Sequence, residues 1–538
     1  MPELKIIPKV NEWHPSAVRT LTVKLPILYL GYCPEAEQFP LEKDRKGEAL
    51  LFLMQGEEIP AEGYQLEIET DRIVLHYGDD AGRFYGLTTL FEIIRTEGEE
   101  IPCGRIADSP RYEYRGFMLD VSRHFFTVDE VKKILDEMAA VKLNVFHWHL
   151  SDDQGYRIES KRFPKLNEVG SRRIEPDGSE NAGYYTQEEI RDVVAYAAAR
   201  HIDVIPEIDL PGHTSAIVAA YPELSCDGTP GSVKNCGGIY THILSPGKDE
   251  VLTFLYELLD EVTGLFPSQY FHIGGDEAPK SEWKADPLCQ ARMKAEGLED
   301  EEALQGWMTD KLIAHLKTLG KTTIGWNEML YAGPREGAIG QYWKEMGPTK
   351  MEAPIKAGQP FIFSNSGAAY CDYPYAMVTL IGTYSFGGKA KDLTVPEEQI
   401  LGLEIPVWTE HIEKTDHLER QIFPRIQAVA ENAWSREKNF ESWKARMGLR
   451  ESYLKEKGYA FTPVAEADIR GDKGIEAFLH AMGEFAKSMK GPVNLPKEML
   501  QSINMFREIM TREWMQYAYS EEQIQTVLKL EEEAMKQM

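Results

Sequence analysis

The chain is poor in the residues that mark several protein classes. Basic side chains are in deficit: 59 Lys and Arg stand against 87 Asp and Glu, a formal net charge of −28. A surface of that sign repels phosphate backbones and anionic lipid headgroups, so neither nucleic acid nor membrane is the expected partner. Cysteine is sparse and unpatterned. Cys33, Cys103, Cys226, Cys236, Cys289 and Cys371 form no CxxC pair, which argues against a zinc knuckle and against a disulfide scaffold. Cys226 and Cys236 flank a Gly-rich loop and are the one pair placed to bond; whether they do stays open. Long apolar runs are missing as well. Nothing approaches the roughly 20 residues of a membrane span, and the opening Met1-Pro2-Glu3-Leu4-Lys5 has no apolar leader core, so a cytoplasmic protein is expected. No internal repeat or low-complexity tract is visible.

What is plentiful is aromatic surface. The chain carries 25 Tyr, 21 Phe and 10 Trp within a 43% apolar composition, enough for a large core with rings left over to stack on sugar faces. At 538 residues it is too long for one ordinary domain, and the patterning divides it in three. Residues 1–108 alternate apolar and polar in short bursts such as Tyr64-Gln65-Leu66-Glu67-Ile68 and Ile73-Val74-Leu75-His76-Tyr77, followed by a helical stretch over 85–94. This reads as a small α/β domain. Residues 109–460 repeat strand then helix, with strand candidates at 116–121, 144–150, 203–208, 270–273, 323–326, 338–342, 361–364 and 403–407. Eight parallel strands predict a (β/α)8 barrel. Helices within it open on capping boxes, Thr127-x-x-Glu130 and Thr186-x-x-Glu189. Residues 461–538 read as a link over 468–474 and then helices over 475–490, 496–519 and 521–538. Their stripe of Phe478, Met482, Phe485 and Met489 suits packing on the barrel or on a second copy of the chain.

The chemistry concentrates where the strands run out. In order, the strands hand over Arg123; Asp152 and Asp153; Asp209 with His213; Asp276 and Glu277; Trp326; Trp343; Tyr370 with Asp372; and Trp408 with Glu410. All would face the rim where such barrels carry their active sites. Asp276 and Glu277 follow a strand broken by Gly274 and Gly275. Two carboxylates at ~5 Å repel by roughly 3 kcal/mol at an effective dielectric near 20, about two pKa units. One can then stay protonated near neutral pH while the other ionises, the division that acid catalysis uses.

His272-Ile273-Gly274-Gly275-Asp276-Glu277 resembles the catalytic signature of the family 20 glycoside hydrolases, the β-N-acetylhexosaminidases. Ala81-Gly82-Arg83-Phe84-Tyr85-Gly86-Leu87-Thr88-Thr89-Leu90 is similar to the accessory domain that precedes their barrel. The resemblance spans roughly residues 64–440. It implies exo-acting, retaining removal of terminal β-linked GlcNAc or GalNAc, with no cofactor and no metal. Adjacent carboxylates can hardly straddle a sugar ring, and the family uses the substrate's 2-acetamido oxygen as nucleophile, through an oxazolinium ion. On the same resemblance Glu277 is the general acid and base, Asp276 orients the acetamido N–H, and Tyr370 holds the acetamido oxygen. Trp326, Trp343 and Trp408 wall the pocket, Arg123 and Glu410 grip the 3- and 4-hydroxyls, and Asp372 takes the 4- or 6-hydroxyl. His213 and Asp152 support Glu277. Asn327 departs from the family, where an acidic residue is commoner.

Two rivals differ in class. His147-Trp148-His149 has the His-x-His spacing of a metal-dependent amidohydrolase barrel, with His213 and Asp276 to complete a ligand set. A catalytically inactive carbohydrate-binding protein on the same barrel is the other.

Overall fold

The computed structural model describes residues 3–345, 348–488, 508 and 510–536. Among these, eight strands close into an all-parallel barrel: β1 (Tyr114–Asp120), β2 (Val145–His149), β3 (Asp203–Glu207), β4 (Tyr270–His272), β5 (Thr322–Trp326), β6 (Ala338–Tyr342), β7 (Phe361–Phe363) and β8 (Ile400–Val407). β8 pairs with β1 in parallel over Gly402–Val407, which completes the ring. The strands are apolar runs because helices cover them outside while the barrel interior packs within. Phe117, Met118 and Leu119 in β1 and Phe146 and Trp148 in β2 are fully buried. Around them run the helices Val128–Ala140, Gln187–Ala198, Asp249–Thr263, Glu301–Thr318 and Arg425–Trp434. The capping boxes form as the sequence implies: the Thr127 N–H donates to Glu130 Oε2 at 2.6 Å, and the Thr186 N–H to Glu189 Oε2 at 2.8 Å.

Ahead of the barrel stands a seven-stranded mixed sheet, including Tyr64–Ile68 and Ile73–Tyr77, against which the helix Asp80–Glu97 packs. That helix begins five residues before the apolar stretch that betrayed it, because the Asp79 side chain caps it by accepting the Gly82 N–H at 2.8 Å. A buried polar cluster ties sheet to barrel. Asp108 Oδ2 accepts from Tyr64 Oη at 2.7 Å and Trp434 Nε1 at 2.9 Å, with Lys142 Nζ at 3.4 Å. Such a cluster holds one relative orientation, because any shift leaves a buried group unpaired.

The C-terminal stretch starts earlier than the pattern suggests: the helix Gly471–Ser488 takes in much of the expected link. Most of the expected helix over 496–519 falls outside the described residues, which are helical over 510–515, and Glu521–Lys536 is a third helix. Phe478, Met510, Trp514, Met515, Ile524 and Val527 are buried with Met377 and Val378 of the barrel and Met482 packs against them, so the described part of the stripe, Phe478 and Met482, lands on the barrel itself. Phe485 and Met489 have no described side chains. No helix among the described residues is long and apolar enough to cross a membrane.

Candidate active site

The loop after β4 is built around a steric constraint. Gly274 and Gly275 have φ of +64° and +105°, and a Cβ on Gly274 would lie 1.8 Å from Asp209 Oδ1. Only glycine fits there. The Gly275 N–H donates to Asp209 Oδ1 at 3.1 Å, and Gln305 Nε2 donates to the Gly275 carbonyl at 2.7 Å from behind. Two residues on, Glu277 itself is left-handed at φ +47°. A non-glycine residue in that region costs on the order of 1–3 kcal/mol and persists only where its surroundings over-determine it.

His213, also left-handed at φ +52°, links the carboxylates. Its Nδ1 lies 3.2 Å from Asp152 Oδ1 and 3.3 Å from Asp153 Oδ2, and its Nε2 lies 3.7 Å from both Asp276 Oδ2 and Glu277 Oε2. Burial disfavours a charged imidazole, but Asp152 first and then the other carboxylates overcome it, so the His213 pKa is raised well above its ordinary value. His213 is therefore an imidazolium.

The two carboxyls are shifted in opposite directions, as a pair that shares one proton requires. Burial pushes Asp276 up to about 6 against the pull of His213, with the Glu277 charge adding to the rise. Burial also raises Glu277, but the His213 hydrogen bond and the charges of Lys344, His213 and Arg123 outweigh it and leave Glu277 below its ordinary value. The difference is one of exposure and neighbours. The Asp276 side chain is 12% exposed and its Oδ1 has no hydrogen-bond partner, whereas Glu277 is 31% exposed among cations. Asp276 is thus left with an unpaired buried oxygen aimed at nothing in the chain.

Opposite the pair stands an aromatic enclosure. The Tyr370 ring stacks 5.9 Å from Trp343 at 12° and meets Trp408 at 6.0 Å, and Trp408 meets Trp326 at 5.8 Å. Burial, then the charges of Asp276 and Asp372, raise Tyr370 well above its ordinary value and keep it a hydroxyl donor. Trp326 is only 1% exposed, its Nε1 bonded to Glu207 at 3.0 Å, so it lies beneath the enclosure more than in its wall. Trp343 is turned by Glu328, whose carboxylate accepts its Nε1–H at 3.1 and 2.9 Å.

A polar group around Arg123, with Asp372 beside it, assembles at the ends of β1, β2, β7 and β8. The Arg123 guanidinium contacts Asp152 at 2.8 Å, Gln154 at 2.9 Å, Asp120 at 3.2 Å and Glu410 at 3.7 Å, and it lies over the Trp408 ring. Asp120 also accepts from the Thr409 N–H at 3.0 Å, which joins the ends of β1 and β8. Burial, then the Glu410 charge, push Asp372 up to about 8, and its Oδ1 too lacks a partner.

Several working residues give little sign of themselves in the sequence. Glu207 and Glu404 sit inside apolar strands with 0% exposure. Glu207 is 3.0 Å from His147 Nε2, 2.5 Å from His149 Nδ1 and 2.9 Å from His272 Nδ1; Glu404 is 3.0 Å from His147 Nδ1. His149 Nε2 meets Asp152 at 2.8 Å. Both histidines of the His-x-His do share a face, and every one of their ring nitrogens faces a carboxylate. Asn327 has a reason of its own to be an amide. Its Oδ1 accepts the Trp343 N–H and its Nδ2 donates to the Lys344 carbonyl, both at 3.0 Å, and an aspartate could supply only the first. Cys226 and Cys236 are not bonded: all six cysteines are free, Cys236 Sγ lies 3.1 Å from Tyr240 Oη, and Cys226 instead neighbours Cys289.

Paired carboxyls beside an aromatic enclosure and a buried arginine, at the mouth where the barrel strands end, suit a glycoside hydrolase, and comparison with known proteins puts the barrel in that class. Residues 112–437 match the catalytic domain of glycosyl hydrolase family 20 and residues 31–109 match its domain 2, so the chain belongs to this family. A β-hexosaminidase of Porphyromonas gingivalis is 39% identical over 396 residues, 70% of this chain and 51% of that protein. The chain thus spans about half the length of that relative. A β-hexosaminidase of Akkermansia muciniphila is 37% identical over 72% of this chain and 82% of its own. Among solved structures, a variant Streptomyces plicatus β-hexosaminidase in complex with its product GlcNAc superposes with a TM-score of 0.76 at 29% identity, over 86% of this chain and 97% of that one.

Proposed function

We propose that the protein is an exo-acting, retaining β-N-acetylhexosaminidase that removes terminal β-linked GlcNAc or GalNAc with the substrate's own acetamido group as nucleophile. One observation carries the reading. Asp276 and Glu277 are adjacent in the chain, both lean on the same His213 nitrogen at 3.7 Å, and bring carboxylate oxygens within 4.8 Å of each other, which suits one wall of a site better than the roughly 5–5.5 Å of a pair on opposite faces of a sugar ring.

In this reading Glu277 donates its proton to the glycosidic oxygen as the C1–O bond breaks, while the acetamido oxygen forms the new bond to C1. Asp276 Oδ1, unpaired in the chain, accepts the acetamido N–H and offsets the positive charge of the oxazolinium. Tyr370 donates to the acetamido oxygen and aims it. Glu277, now ionised, takes a proton from water, whose oxygen reopens the ring at C1 with overall retention. Arg123, Glu410 and Asp372 read the hydroxyls, and the rings keep water from the acetamido group until the bond has formed. The P. gingivalis and A. muciniphila relatives are β-hexosaminidases and the S. plicatus relative holds GlcNAc as product, which supports a terminal N-acetylhexosaminide as substrate. Pairing of two copies through the C-terminal helices would have to use their outer faces, because Phe478, Trp514 and Met515 are already buried.

The test is inhibition by a thiazoline mimic of the oxazolinium, together with rates on substrates whose acetyl group is progressively fluorinated. Tight competitive inhibition and a steep loss of rate with each fluorine are expected. A glycosyl ester trapped on a protein carboxylate would contradict the mechanism while leaving the glycosidase standing. Turnover abolished by EDTA would favour the metal-dependent rival.

A further inference from the structure

Residues beyond 437 lie outside the match to the family's catalytic domain, yet part of that stretch reaches the active site. The helical residues 510–515 lie along the segment that follows β7 and carries Tyr370 and Asp372. Two contacts bracket Tyr370. Ahead of it, the Glu513 carboxylate accepts from Ser366 Oγ and from the Gly367 N–H. A Cβ on Gly367 would stand 2.4 Å from the Glu513 carbonyl oxygen, so the close approach depends on glycine at that position. Behind it, the Trp514 ring lies 5.4 Å from the Tyr373 ring, which is 6.5 Å from Tyr370 and tilted 23° to it. Trp514 is itself fixed, 1% exposed among Met377, Val378 and Phe478.

We infer that Glu513 and Trp514 are positioning residues for Tyr370, which makes the C-terminal helical segment a working part of the active site. The physical need is plain in the local backbone. Ser366–Ala369 is a single helical turn, too short to hold its own shape, and Tyr370 leaves it in an extended conformation at φ −74° and ψ 105°. The Gly367 N–H has no acceptor within such a turn, and the half-buried carboxyl of Glu513, from another part of the chain, accepts from it. A tyrosine that aims a nucleophile has to be held to within about 0.5 Å, and the two brackets supply that restraint.

This inference rests on the role given to Tyr370 under the proposed function, and the experiment separates the two. kcat, KM and the thiazoline inhibition constant are measured for Glu513→Ala, Trp514→Ala, Tyr370→Phe and the double variant Glu513→Ala with Tyr370→Phe, each well below its melting temperature. Glu513→Ala should lower kcat roughly ten- to hundred-fold, the scale of a small misplacement. It should weaken the thiazoline in step, change KM much less, and add little in the Tyr370→Phe background. If Glu513→Ala does not fold, Glu513→Gln alters the same contact at constant size and Ser366→Ala deletes only its hydroxyl donor, and each should show a smaller loss of the same kind. Variants that melt earlier but keep kcat and thiazoline affinity, or a loss fully additive with Tyr370→Phe, would overturn the inference. A Tyr370→Phe enzyme of undiminished rate would instead overturn the role given to Tyr370 itself.

Discussion

Asp152 and His213 form an ion pair at 3.2 Å, and through it the second and third barrel strands set the charge that faces both Asp276 and Glu277. The same aspartate holds Arg123 at 2.8 Å, so on the proposed mechanism one carboxylate would orient both the group that grips the sugar and the group that governs the acid. Removing it should therefore damage both functions. Asp152→Asn is expected to lower kcat/KM by roughly two orders of magnitude, raising KM through Arg123 and lowering kcat through His213. A change confined to one constant would show that the two roles are separable.

The pH dependence follows from the directions of the carboxyl shifts. The acid step needs Asp276 ionised and Glu277 protonated, while the free site holds Asp276 at about 6 and Glu277 below its ordinary value. Above pH 6 both carboxyls are ionised and the acid is lost; well below the lower value both are protonated and Asp276 no longer accepts. The limbs belong to the coupled pair, so kcat/KM should peak below pH 6 and fall about tenfold per unit above it. A sugar that covers the exposed part of Glu277 raises its pKa, so kcat should hold to higher pH than kcat/KM. A kcat/KM profile flat from pH 5 to 8 would show that the pair is not titrating as described.

Glu277→Gln should abolish most turnover of natural glycosides, because an amide has no proton to give the leaving oxygen. An activated aryl leaving group needs less help and should suffer far less. Equal losses on both substrate types would remove Glu277 from the role of acid.

The two tryptophans should part company. Trp326 is 1% exposed and its Nε1–H is one of four groups around the Glu207 carboxylate, so Trp326→Ala opens a cavity and removes one of those partners. A loss of ~3–5 kcal/mol in stability is expected, read by thermal or denaturant unfolding. Trp343 is 8% exposed and faces Tyr370, so Trp343→Ala should leave folding closer to intact and weaken thiazoline binding by about 2 kcal/mol. Equal stability losses would place Trp343 in the core as well.

Cys226 and Cys289 lie within hydrogen-bonding reach of each other, while Cys236 points to Tyr240. Under a mild thiol oxidant such as diamide, peptide mapping should recover a link between residues 226 and 289. A link between 226 and 236, or full alkylation of both Cys226 and Cys289, would contradict the arrangement.

The sequence by itself determined the barrel, because strands buried on both faces must be apolar throughout and the helices between them must start on capping residues. β6 was legible to the residue, and the other strands to within a few residues at their ends. It also determined which groups reach the rim, because a strand that ends in Gly274-Gly275 or in Trp408-Thr409-Glu410 shows its polar residues at the point where the chain leaves the core. Only the tertiary structure decided the order of proton affinity between Asp276 and Glu277. That order depends on which carboxyl is covered and which lies near Lys344 and Arg123, residues 67 and 154 positions away from Glu277. Glu207 and Glu404 were hidden for the same reason: a single acid within an apolar strand looks like an exception until β2 and β3 bring His147 and His149 against it. The involvement of Glu513 was the least legible of all. Nothing in a helix at the end of the chain indicates contact with Gly367, and only the packing of Trp514 and Met515 onto the barrel brings that carboxylate to the turn that carries Tyr370.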